Sequence, residues 1–363
     1  MTAKIDLSDC PSPFWLPGGH LQTIYGAYLA HHQRISFVRQ RINTPDGDFL
    51  DLDWTGPGLF ADRLPDGKTA PKDSHLSQTA ARRWVLDQDW AQLPQNHQVQ
   101  ALTIFHGLEG SSKSHYAQAI AQYFRARGWV VVVAHFRGCS GFPNRMARSY
   151  YSGDSEEVKF ILESVRQQLP NAQWHAVGVS LGGNALLKHL GEQGAACAWL
   201  EAAAAVSAPA DLVSCGRHLS EGFAGRRIYC PHFLKTMRSK IFEKSKRFPG
   251  MIDILRLGQA RTLRDFDDVY TAPMHGYQHA LDYWTQASSK PLLSQISTPT
   301  LLLNAKNDPF IPESSLAQPQ DCSAAVLLHQ PQNGGHVGFV SGAFPGHIHW
   351  LPLRLARFFE TRT

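Results

Sequence analysis

Ser180 stands in GVSLG, residues 178–182, which fits the pattern G-x-S-x-G. A serine hydroxyl is a weak nucleophile until a base takes its proton, and the base in turn needs an acid to orient it. When such a serine sits on a sharp strand-to-helix turn, the acid and then the histidine follow it along the chain, each just beyond a strand. Asp308 closes TLLLNAKND, and His336 lies in GGHVGF, a short loop after AAVLLHQ. Position alone separates His336 from the other members of a set of 18 histidines. The chemistry expected of this trio is acyl transfer. Ser180 attacks, His336 acts as general base and then general acid, and Asp308 orients the imidazole and stabilises its cation. Two backbone N–H groups should hold the oxyanion, one from Leu181 after the nucleophile and one from Leu108 in the loop HGLEGSS. His106, at the start of that loop, reads as a structural ring that fixes it.

Each of these residues also has a plainer reading. GVSLG fits a Gly-Ser turn without chemistry, and Asp308 fits a turn-forming Asp before Pro309. Asp265, Asp267, Asp268 and Asp282 are rival acids, but no strand end presents them. GLEGSSKS, residues 107–114, nearly fits a phosphate-binding loop, G-x-x-x-x-G-K-[ST]. Ser112 replaces the glycine where backbone must approach phosphate, so nucleotide hydrolysis stands behind ester hydrolysis as a reading. A ligand-binding module without catalysis is the other alternative. His347 and His349 have H-x-H spacing but lack a neighbouring carboxylate or thiol, so no metal site and no cofactor are expected.

The elements that must carry these residues alternate. QVQALTIFHG and the β-branched run WVVVVAHFRG read as buried strands, with the helix of SHYAQAIAQYFRARG between them. Asp154 precedes EEVKFILESVRQQL as an N-cap, with Glu157 three residues on. QWHAVGVS leads into a helix from LGGNALLKHL, AAAAVSAP is a small-residue strand, and TPTLLLNAKND and AAVLLHQ supply two late strands. WLPLRLARFFE closes as a helix. Strand and helix in alternation predict an α/β fold, a doubly wound and mostly parallel sheet covered on both faces. One domain spans 1–363. Residues 211–290 break the rhythm where a helical cap would be spliced in, and residues 55–97 read as a polar loop insertion.

Composition sets the outer bounds. Apolar residues make up 43% of 363 residues and charged ones 18%, a globular composition. No apolar run approaches the roughly 20 residues that span a bilayer. The N-terminus lacks a basic start followed by an apolar stretch, and the six cysteines show no CxxC spacing, so a cytoplasmic protein with reduced thiols is expected. A net charge of +5 does not call for nucleic acid. The charge is uneven, however: twelve Lys and Arg lie between 217 and 264 against Glu221, Glu243 and Asp253. That stretch is either a solvated helical surface or a face that meets anionic substrate or lipid head groups, which allows peripheral membrane contact through the cap.

FHGLEGSS, HFRGCSGFPNR, GVSLGGN, NDPF and GGHVGF occur in order and together resemble the YheT-like esterases, a bacterial branch of the α/β-hydrolases. The early FWLPGGHLQTIYG and the later FDDVYTAPMHGYQHALDYWTQAS are also similar to blocks of that family. The resemblance implies an α/β-hydrolase fold, a charge-relay triad on Ser180, Asp308 and His336, and hydrolysis of small-molecule or lipid carboxylic esters without a cofactor. Eukaryotic relatives that are lipases and phospholipases make membrane lipid esters an alternative substrate.

Overall fold

The computed structural model describes residues 3–64, 66–69, 76, 79–93 and 99–360. In chain order its strands are β1 (Lys4–Asp6), β2 (Phe37–Asn43), β3 (Phe49–Thr55), β4 (Ala81–Trp84), β5 (Gln100–Phe105), β6 (Val130–His135), β7 (Gln173–Val179), β8 (Leu200–Val206), β9 (Thr300–Leu303) and β10 (Val326–His329). They form one sheet in the order β1-β10-β9-β8-β7-β5-β6-β3-β2-β4. Every pairing is parallel except those that β3 makes with β6 and β2. The six strands expected from apolar runs occupy the centre and one flank. The additional strands β2, β3 and β4 extend the other flank, and β1 adds one beside β10.

The helices are α1 (Gly19–Tyr28), α2 (Asp87–Gln92), α3 (His115–Ala126), α4 (Ser155–Gln168), α5 (Leu181–Gln193), α6 (Leu212–Glu221), α7 (Cys230–Arg247), α8 (Ile254–Gln259), α9 (Leu263–Phe266), α10 (Ala272–Met274), α11 (Ala280–Ala287) and α12 (Trp350–Glu360). Strand geometry sends alternate side chains to opposite faces. Val130 and Val132 accordingly pack in one core with Val158 and Ile161 of α4 and Leu186 of α5. Val131 and Val133 pack in the other, with Ile120 of α3 and Leu355 of α12. Both faces of the sheet are covered, so its strands can be apolar along their whole length. As the sequence suggested, Asp154 caps α4 by accepting from the Glu157 N–H.

Two stretches depart from the alternation. Between β8 and β9 the chain leaves the sheet for α6 to α11, part of which buries its own core around Leu234, Ile241, Leu257 and Phe266. The stretch 55–97 holds more than loop. It contains β4, which pairs with β2 at the sheet edge, and α2, which presents Asp89 to Arg83 in a buried two-bond ion pair at 2.6 and 2.7 Å. Residues 65, 70–75, 77, 78 and 94–97 of that stretch lie outside the described residues. Among the described residues no helix is long and apolar enough to cross a membrane. All six thiols are buried and unpaired, and burial pushes Cys139 and Cys197 up to about 11, which keeps them unreactive.

Candidate active site

Ser180 sits between the end of β7 and the first residue of α5, with φ of +52°. This left-handed conformation is strained for a side chain other than glycine and is common at functional turns. Its neighbours must be glycine for lack of room. A Cβ on Gly178 would lie 2.4 Å from the Gly182 carbonyl oxygen, and one on Gly182 would lie 2.6 Å from the carbonyl oxygens of Phe105 and His106. The turn therefore lifts the serine above the sheet edge while β7, β5 and α5 press together beneath it.

Asp308 follows β9 and His336 follows β10. His336 Nδ1 lies 2.8 Å from Asp308 Oδ2, and its Nε2 lies 2.9 Å from Ser180 Oγ. A carboxylate only accepts, so the proton belongs on Nδ1, and Nε2 is left to accept from the serine hydroxyl. Asp308 is buried, and its other oxygen accepts from the Phe310 N–H at 2.8 Å. The Phe310 ring stacks on the imidazole at 4.1 Å. Residues 156 positions apart thus meet in one hydrogen-bonded line. The rival acids are elsewhere occupied: Asp265 caps α9, Asp268 accepts from the Ala280 N–H, and Asp282 accepts from Gln278 and Gln286.

The histidine loop is held from α1. Thr23 Oγ1 accepts from the His336 N–H at 2.8 Å, and Gln22 Oε1 accepts from the Gly334 N–H and from Asn307 Nδ2, each at 3.0 Å. Asn307 Oδ1 in turn accepts from the Gly335 N–H at 2.9 Å. Gly335, with φ of +61°, passes so close to α1 that a Cβ there would stand 2.8 Å from Thr23 Oγ1. Val337 is also left-handed, at φ +60°, and donates to Ser207 Oγ. A β-branched residue tolerates that conformation only when its surroundings impose it.

The loop after β5 faces Ser180 from the other side. His106 is buried; its Nδ1 is 2.8 Å from the Gly107 carbonyl, and its Nε2 accepts from the Phe136 N–H at 3.2 Å. Burial, with the nearby His135, lowers it to about 3, so it is a neutral brace. Gly107 N–H donates to Tyr116 Oη and Glu109 N–H to Tyr150 Oη, both at 2.8 Å. The Leu108 N–H between them has no acceptor among the described residues. The Leu181 N–H, the first of α5, is in the same position, as the first turn of any helix leaves its donors free. Ser112 Oγ donates to Asp53 Oδ2 at 2.6 Å, tying the loop to a buried group of Asp53, Arg39 and His135. Burial would raise the Asp53 carboxyl, but His135 and Arg39 outweigh it and hold the group well below the usual range. A phosphate cradle would need the N–H groups of this loop, and those of Gly107, Glu109, Gly110, Ser111 and Lys113 are already bonded inside the protein. His347 is bonded to Ser341 and stacked on His349, and among the described residues no three His, Cys, Asp or Glu side chains converge as metal ligands.

Ser180 and His336 open into a cavity of about 130 Å³ walled by Pro209, Leu212, Leu219, Phe233 and Phe310. A second cavity of about 660 Å³ adjoins it, and Leu108, Leu181, Met237, Asp267 and Tyr283 belong to the walls of both. Asp267 accepts from Trp284 Nε1 at 2.8 Å, and burial raises its carboxyl to about 7. Lys240 of α7 reaches the loop after β5 and pairs with Glu109 at 2.9 Å, while Glu109 also accepts from Tyr150 Oη at 3.0 Å.

Gln22, Thr23 and Asn307 carry the histidine loop without having drawn attention as single residues. The signals were the block PGGHLQT for Gln22 and Thr23 and the block NDPF for Asn307, and the tight glycine of the first is explained: a Cβ on Gly19 would overlap the Asn307 carbonyl oxygen.

Comparison with known proteins agrees with the architecture. Residues 100–343 match the family described as alpha/beta hydrolase fold. The Escherichia coli (strain K12) protein named "Putative esterase YheT" is 35% identical over 344 residues, covering 94% of this chain and 90% of its own. A Saccharomyces cerevisiae "Monoacylglycerol lipase" is 28% identical over 336 residues, covering 89% and 74%. Among solved structures, Est1E from Butyrivibrio proteoclasticus superposes with a TM-score of 0.51 at 12% identity, over 90% of this chain and 98% of that one. The sheet order, the glycine-bounded serine turn and a similarity running through nearly the whole chain lead to one assignment: the chain belongs to the alpha/beta hydrolase fold family, on the branch of the YheT-like esterases.

Proposed function

We propose that this protein hydrolyses carboxylic esters through an acyl-enzyme on Ser180. The observation that carries the reading is the hydrogen-bonded line from Asp308 through His336 to Ser180. In the first half-reaction His336 takes the hydroxyl proton, Ser180 Oγ adds to the ester carbonyl, and the Leu108 and Leu181 N–H groups receive the oxyanion. His336 then returns the proton to the departing alkoxide. A water deprotonated by the same ring attacks the acyl-enzyme and releases the acid. Each oxyanion donor is worth on the order of a hundredfold in rate. The helices between β8 and β9 serve as the cap that walls the ester in, and the protein works in the cytoplasm without a cofactor.

A fluorophosphonate probe and a nitrophenyl ester test the reading together. The parent should be labelled and release nitrophenol, and Ser180→Ala should do neither. Labelling of Ser180→Ala at the parent's rate would remove Ser180 from the role.

Lipid esters are the second reading. What favours it is exposed apolar side chains, Phe223 at 81% and Leu255 at 79%, among the cationic residues of the cap, a combination suited to an anionic lipid surface. A rise in turnover with acyl-chain length and at vesicle surfaces would support it, and a preference for short soluble esters would set it aside.

A further inference from the structure

Helix α1 is turned inside out. Its buried residues are Gln22, Thr23 and Gly26, while Leu21, Ile24 and Tyr28, three and four positions apart, stand in solvent. A surface helix ordinarily does the reverse, as α3 does by burying Tyr116, Ile120 and Phe124. The inner face of α1 is committed to the histidine loop, which needs polar acceptors. Nothing in that task accounts for an apolar outer face. Tyr28 is 68% exposed, and Leu29, just beyond the helix, 66%.

The patch continues off the helix. Tyr25, one turn on from Leu21, meets Trp15 edge to face at 5.1 Å, and Trp15 meets Phe344 at 5.4 Å. Phe344 is 75% exposed, and Phe14, next to Trp15, 96%. Trp15 Nε1 donates to the Gly342 carbonyl and Tyr25 Oη to the Pro345 carbonyl, so the rings beneath the patch are held in place. Six side chains, Phe14, Leu21, Ile24, Tyr28, Leu29 and Phe344, therefore form one exposed apolar surface. With roughly 150–250 Å² for an aromatic side chain, they offer on the order of 700 Å² per copy, against about 800 Å² that each partner gives to a standard interface. Exposed apolar residues scattered singly need no explanation, but a held patch of this size marks a contact.

Charge selects the occupant. The segments that build the patch, residues 10–33 and 322–353, contain no Lys, Arg, Asp or Glu. An anionic lipid surface is met by cations beside apolar side chains, which is the pattern around Phe223 and Leu255 in the cap. An aromatic face without charge matches instead the core of an interface between identical chains, where one patch serves both sides of a two-fold axis. We propose that two copies of this chain form a homodimer through the outer face of α1 together with Phe14 and Phe344. Each α1 then lies between the histidine loop of its own chain and the face of the second copy. The dimer stands whether or not Ser180 is the nucleophile.

Sedimentation velocity on the full chain, over a range of concentrations, tests the proposal. The parent should sediment at twice the chain mass, with a Kd of about micromolar or below for an interface of this size. Leu21→Glu combined with Tyr28→Glu should sediment as a monomer while keeping the circular-dichroism spectrum of the parent. The melting temperature of the parent should rise with protein concentration, and that of the double variant should not. Phe14→Glu lies off the helix and should weaken association about tenfold, which keeps the test usable if the double variant fails to fold. Phe223→Glu combined with Leu255→Glu, in the cap, should leave association unchanged. A parent that stays monomeric at the highest concentration overturns the dimer. So does a dimer that survives the α1 double variant, or one that dissociates on the cap substitutions. A monomeric parent that floats with phosphatidylcholine vesicles, and no longer does so as the α1 double variant, also overturns it and gives the face to a lipid surface.

Discussion

The two sides of the candidate site are built by opposite rules. On the sheet side, Ser180, Asp308 and His336 are fixed by short hydrogen bonds to neighbours that are themselves fixed. Asp308 is held by the Phe310 N–H, and the histidine loop by Thr23, Gln22 and Asn307. On the cap side, cations of α7 reach inward, Lys244 and Arg247 to backbone carbonyls and Lys240 to the Glu109 carboxylate. One side leaves almost no polar group to a ligand; the other lines the larger cavity with cationic side chains. Chemistry needs the first arrangement, because a misplacement of about 1 Å can cost a hundredfold in rate. Selection of substrate needs the second.

If this division holds, substitutions on the sheet side should lower kcat and those on the cap side should act mainly through KM. The largest effect belongs to Asp308→Asn. It should lower kcat about ten-thousandfold, by leaving the imidazole in the wrong tautomer, with the melting temperature nearly unchanged. A loss of less than tenfold would shift the acid to another residue. Thr23→Val comes next. It removes the acceptor of the His336 N–H and leaves that donor unpaired at about 1–3 kcal/mol, so kcat should fall about ten- to a hundredfold with KM steady. A change in KM alone would contradict a positioning role. Lys240→Met should be milder, within about fivefold, because a partly exposed ion pair contributes about 0–1 kcal/mol. Its loss should be matched by Glu109→Gln and not doubled when the two are combined.

The smallest effect concerns stability. The Asp267 carboxyl is raised from 3.8 to about 7, so the folded state binds its proton more tightly than the unfolded chain does. That contribution is fully present below about pH 4 and is lost as pH rises through 7. Asp267→Asn keeps a neutral side chain at every pH. Its melting temperature relative to the parent should therefore rise between pH 4 and pH 8, and a constant difference would mean that Asp267 is ionised throughout.

The central sheet was legible because its strands are apolar on both faces and end at the candidate site residues. The serine turn, the acid and the histidine could be placed from those strand ends alone. The flank was not legible in the same way. β2 and β3 bury Arg39, Asp51 and Asp53 inside the sheet, where Arg39 pairs with Asp53 and Arg41 with Asp51. A charge buried against its partner looks, along one chain, like a surface residue. β4 is hidden for the same reason, since Arg83 in ARRW is buried against Asp89 and the carbonyls of Phe60, Arg63 and Trp84. Gln22 and Thr23 escaped because their role exists only in three dimensions: two ordinary polar side chains on a helix become acceptors for a loop at the far end of the chain.

That last contact has a consequence for assembly. The hydrogen bond from the His336 N–H to Thr23 closes a span of 313 residues, and the one from the Gly334 N–H to Gln22 a span of 312. In a β-rich topology, such distant closures carry the largest loop entropy and come late in folding. The central strands, whose pairings span shorter stretches of chain, can pair and the serine turn can form while His336 is still unplaced. On the proposed reading, a chain that reached that stage would have its central sheet and Ser180 but no placed base, so hydrolytic power would wait until α1 had docked.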